Sequence, residues 1–188
     1  MVISLISRLV NGVKEGVKAS LEGVKDVGSA VVGVVRNLTV TTLKGTKELV
    51  TTGVESAASV VKGAISGVAD VGASVVGAIK GIIVGTIRGV MEAGGEEKQA
   101  VRGAVAQAIQ SAKELGLDIG DVAVEAVKGS IEAVKTVGGD VVGATKEAVL
   151  TAIGAAKDIG EEAVEAVKES LESSIEGAKD IIEAAKKE

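Results

Sequence analysis

An 11-residue repeat that runs without insertion or deletion constrains this chain more than any other feature. Counting from Val13, 16 units reach Glu188, and Val2-Ile3-Ser4-Leu5-Ile6 keeps the same phase ahead of them. The second position of the unit is Lys or Arg in 12 of the 16 units, and the third is Asp or Glu in 11. A deeper period of 22 is carried by recurring words: Val24-Lys25-Asp26-Val27-Gly28, Val68-Ala69-Asp70-Val71-Gly72, Ala112-Lys113-Glu114-Leu115-Gly116, Val134-Lys135-Thr136-Val137-Gly138 and Ala156-Lys157-Asp158-Ile159-Gly160. Internal repetition of this kind has to be read before any local feature, because it dictates how the units meet.

Eleven residues fit three helical turns at about 3.67 residues per turn. Positions 1, 4, 5, 8 and 9 of the unit then fall within about 130° of one another and hold the Val, Ile, Ala and Gly residues. Charges hold the opposite side. The predicted apolar contact stripe contains Val13, Val17, Leu21, Val24, Val32, Val35, Leu43, Val54, Ile65, Val68, Val76, Ile79, Ile87, Val101, Ile109, Ile131, Val142, Ile153, Val164 and Ile175. Gly77, Gly81, Gly85 and Gly89 form a four-residue ladder suited to close helix packing. Alternation at period 2 is sustained nowhere, so strands are not expected.

The expected fold is therefore all-α, a single repeat domain over 1–188 built of long amphipathic helices. It would form a helical hairpin, or a right-handed or straight coiled-coil bundle. The strongest break is Gly94-Gly95-Glu96-Glu97-Lys98, which places a bend near 93–99 between arms 1–92 and 100–188. Weaker breaks are Asn37 to Gly45, Leu117 to Asp121, and Gly138-Gly139. A hairpin leads, a four-segment bundle follows, and an unbroken rod of about 280 Å comes last. The arms differ in charge: residues 1–94 hold 10 basic and 7 acidic groups, and residues 95–188 hold 11 and 19.

Composition narrows the functions. The chain has no His, Cys, Pro or aromatic residue. Imidazole acid/base work, thiol nucleophiles, and zinc or haem sites built on those ligands are excluded. A net charge of −5 and the lack of base-stacking rings speak against nucleic-acid binding. No secretory signal pattern is evident near the N-terminus.

Local constellations add little. Ser59-Val60-Val61-Lys62 has the Ser-x-x-Lys spacing but no partner motif. Asp118, Asp121 and Glu125 share a helical face that could hold a divalent cation weakly, yet no EF-hand loop surrounds them, and a solvated acidic face is the expectation. No catalytic residue, cofactor, metal or small-molecule substrate is expected, and the chain is read as non-enzymatic. Val71 to Ile87 has one charge, Lys80, but marginal length for a membrane span.

Val, Thr and Gly are poor helix formers, so the isolated helix is marginal in water and its stripe must meet something apolar. At Val13-Lys14-Glu15-Gly16-Val17, Thr46-Lys47-Glu48 and Thr136-Val137-Gly138-Gly139-Asp140-Val141-Val142-Gly143 the chain resembles the synucleins, and it is similar in period to the repeats of perilipins and, more distantly, of late-embryogenesis-abundant proteins. That resemblance implies a long amphipathic helix lying on a lipid surface. The first functional expectation is accordingly association of the stripe with lipid, in a cytoplasmic or peripheral membrane location. The alternative is a structural homo-oligomeric bundle or scaffold, with an apolar lumen as one form it could take. Partners are thus lipid or other copies of the chain.

Overall fold

The fold is given by a computed structural model that describes residues 2–44 and 53–187. Among these residues there are nine helices and no strand: α1 (Val2–Leu21), α2 (Val27–Lys44), α3 (Gly53–Asp70), α4 (Val75–Glu92), α5 (Glu97–Leu115), α6 (Ile119–Val137), α7 (Val141–Lys157), α8 (Glu161–Ser174) and α9 (Ala178–Ala185). The all-α expectation holds, and the helices pack as a bundle. The word Thr46-Lys47-Glu48-Leu49-Val50 and Gly45 lie outside the described residues.

The bend expected near 93–99 is present, but it is one of a series rather than a single break between two long arms. The longest described helix has 20 residues. The reason is local backbone chemistry. Gly72, Gly94, Gly116 and Gly138, spaced by 22, all take positive φ, at 73°, 97°, 66° and 74°. A left-handed residue ends an α-helix, and only Gly adopts it without steric cost. The next amide closes each end by reaching back five residues: Leu117 to Ala112 and Gly139 to Val134 at 2.9 Å, Gly95 to Val90 at 2.9 Å, and Ala73 to Val68 at 3.3 Å. Two residues beyond Gly72, Gly116 and Gly138 stands a side-chain cap for the next helix, whereas Glu96 after Gly94 makes no such bond. Ser74 Oγ accepts from the Gly77 amide at 3.1 Å, Asp118 from Asp121 at 2.8 Å, and Asp140 from Gly143 at 3.0 Å. Each cap satisfies an amide that has no carbonyl partner within its helix.

Of the weaker breaks, Leu117 to Asp121 and Gly138-Gly139 fall at turns, whereas Asn37 to Lys44 stays within α2. Thr39 and Thr42 there donate their hydroxyls to the carbonyls of Val35 and Leu38, each at 2.7 Å, which keeps these residues compatible with a helix.

Each helix packs against the next and, more extensively, against the one after next. Two layers result, one of α1, α3, α5, α7 and α9, the other of α2, α4, α6 and α8. Within a layer helices run parallel: successive residues Gly81, Gly85 and Gly89 of α4 meet Val31, Val35 and Thr39 of α2. One hydrophobic cluster extends from Leu9 to Ile182 and includes residues on both sides of Gly94-Gly95. Stacked neighbour contacts of this kind are the architecture of helical repeats.

Candidate functional site

The candidate site is the stripe, and the fold turns most of it inward. Val13, Val17, Leu21, Val35, Leu43, Ile65, Val68, Ile79, Ile87, Val101, Ile109, Ile153 and Ile175 are buried in the core. Val32, Val54, Val76, Ile131 and Val164 are half-buried. Two residues depart from the expectation: Val24 is 37% exposed and Val142 81% exposed. Val24 stands in the turn after α1, and Val142 in the first turn of α7, where the Gly138–Asp140 turn has redirected the chain. The stripe is kept within the helices and lost only at these two positions beside a reversal.

The Gly ladder divides three to one. A Cβ on Gly81 would lie 2.6 Å from the Gly28 carbonyl oxygen, one on Gly85 2.6 Å from that of Val32, and one on Gly89 2.5 Å from Thr39 Cβ. These three glycines let α2 press its backbone against α4. Gly77 instead sits in the first turn of α4, and a side chain there would meet only its own cap, Ser74. Four further contacts of the same type escaped the sequence reading. Gly63 and Gly67 admit Val10 to Val17 of α1, Gly103 admits Val54 of α3, and Gly129 admits Lys80 and Ile83 of α4. The i, i+4 spacing of Gly63 and Gly67 was the available signal.

The charged columns also have a structural use. Between stacked helices Lys14 pairs with Asp70 at 3.1 Å, Arg36 with Glu92 at 2.7 Å, Lys80 with Glu132 at 2.5 Å and Arg102 with Glu147 at 2.8 Å. All four cations occupy the second position of the repeat unit. The hydrogen bond from Arg36, with its positive charge, holds the Glu92 carboxyl below the usual carboxylate range, and the same contact raises the Arg36 guanidinium. Hydrogen bonds from the Ser29 side chain and backbone lower Asp26 in the same sense. Such partly exposed pairs set register more than they add stability.

The small constellations have structural roles. The Ser59 hydroxyl donates to the Glu55 carbonyl at 2.7 Å, and Lys62 is exposed. Asp118 is the cap of α6, and Glu125 accepts from Lys128 at 3.3 Å. Among the described residues no group of acidic side chains is placed to hold a metal ion. Open clefts lie between turns. One of about 620 Å³ is bordered by Lys25, Asp26 and Ser74, and one of about 660 Å³ by Leu117, Asp118, Ile159 and Glu161. Neither cleft pairs a buried acid with a base. The segment 71–87 begins in a turn and continues into α4, and no described helix is long and apolar enough to cross a membrane. Comparison of the chain with protein families, curated proteins and solved structures finds no match.

Proposed function

We propose that the protein is a non-enzymatic helical-repeat scaffold whose exposed helix faces engage other copies of the chain. One observation carries this reading. Most of the apolar residues that a lipid-bound helix would turn toward a membrane are already occupied by the chain's own helices, from Val13 in α1 to Ile175 after α8. Stacking against a neighbour two helices away supplies the apolar partner that a Gly- and Val-rich helix needs. Burying the stripe on a lipid surface would require giving up that core.

Far-ultraviolet circular dichroism distinguishes the two partners. Spectra are recorded in buffer and with anionic phosphatidylserine-containing vesicles. Full helix content in buffer, unchanged by vesicles, is expected. A weak helix signal that rises several-fold with vesicles would instead establish lipid as the partner and end the scaffold reading.

A further inference from the structure

Interior helices of each layer are flanked on two sides, whereas among the described residues α1 stacks only on α3, as α2 does only on α4. Its α3-facing side presents Val10, Val13, Lys14 and Val17. The opposite side carries Arg8, Gly12, Glu15 and Ala19, all exposed. Gly12 lies mid-helix with an empty surround, since a Cβ there would meet nothing within 4 Å. Glycine in a helix interior is unfavourable relative to alanine. Elsewhere in this fold, at Gly63 and Gly67, the same choice admits the backbone of a neighbouring helix.

Charge tells what fits this face. Arg8 precedes Gly12 by four residues and Glu15 follows it by three, and neither enters an ion pair among the described residues. Two antiparallel α1 helices crossing at Gly12 would set Arg8 of each copy against Glu15 of the other. The face is its own electrostatic complement, as an isologous two-fold interface requires. The exposed side chains of α8, by contrast, include Glu161, Glu162, Glu165, Glu169 and Glu172, which repel their own kind.

We propose that the chain forms a closed two-fold dimer through α1, with Gly12 at the crossing and reciprocal Arg8–Glu15 pairs on either side. This rests on the scaffold reading and names its partner surface. Association stops at two copies, because an isologous contact uses the same face of both and leaves no copy of that face free.

Sedimentation of the full chain over a range of concentrations, with circular dichroism on the same samples, tests this. A reversible monomer–dimer equilibrium with no larger species is expected. Arg8→Glu and Glu15→Arg should each weaken the dimer about tenfold, and the double variant should recover most of that loss. Gly12→Leu should weaken it comparably, whereas Gly154→Leu, whose Cβ is equally free and lies on α7, should leave it unchanged. A fully helical monomer at every concentration overturns the dimer alone. Growth beyond two copies, or charge reversals that fail to compensate in the double variant, also overturns it. Helix formation that depends on vesicles removes the scaffold reading and the dimer with it.

Discussion

At the scale of single residues, glycine stands in different settings along this chain, and the backbone distinguishes them. Gly116 is left-handed at φ 66° and ends α5. A side chain there meets no neighbour, yet forces a backbone conformation that costs an L-residue roughly 1–2 kcal/mol. Gly116→Ala should therefore lower stability by about that amount in urea unfolding. Gly154 has an equally open Cβ but lies inside α7. Gly154→Ala should raise stability by about 0.5–1 kcal/mol. Opposite signs for two substitutions that both add one methyl to open space would isolate the backbone as the cause. Five of the positive-φ glycines, Gly72, Gly94, Gly116, Gly138 and Gly160, were visible in the sequence as a column of period 22, whereas Gly23 and Gly177 fall outside it and Gly28 within it does not take positive φ. What the column meant was not, because a Gly in a repeated word can serve a turn or a close contact equally well.

At the scale of elements, stacking depends on glycines that face backbone. A Cβ on Gly85 would press on the Val32 carbonyl oxygen and the Arg36 amide, neither of which can rotate away. Gly85→Ala should cost about 1–3 kcal/mol by overpacking, despite its better helix propensity. Urea unfolding of the variant checks this, and a gain in stability would mean that α2 and α4 do not lie this close. The Gly81–Gly89 ladder was legible from i, i+4 spacing alone. Its partner was not, because α2 lies 50 residues upstream of the positions it meets, as with Gly81 and Val31. The charged columns were legible as columns, but only stacking brings Lys14 to Asp70 and Arg36 to Glu92.

At the scale of the molecule, stability follows the number of stacking partners each helix has. Central helices α4 to α6 lie between layer neighbours on both sides, whereas α1 has one and the short α9 closes the far end. Amide hydrogen exchange should reflect this. The slowest exchange is expected around Ile83, Val105 and Val127, and faster exchange in α1, α8 and α9. Protection of α1 that rises with protein concentration would accompany the dimer. Uniform protection along the chain would contradict a nearest-neighbour array.

The sequence by itself determined the helical period, the amphipathic register, the glycine columns and the absence of His, Cys and aromatic side chains. Those properties are local: an 11-residue unit fixes which side chains share a face, whatever that face meets. Tertiary structure decided that the face meets the chain's own helices. Each helix and its turn span about two repeat units, so the 11-residue phase passes through every reversal unchanged. A long lipid-bound helix and a folded stack therefore leave the same periodic trace. The turns at Gly72, Gly94, Gly116 and Gly138 separate the two, because a left-handed backbone redirects the chain and brings residues about 50 positions apart into contact.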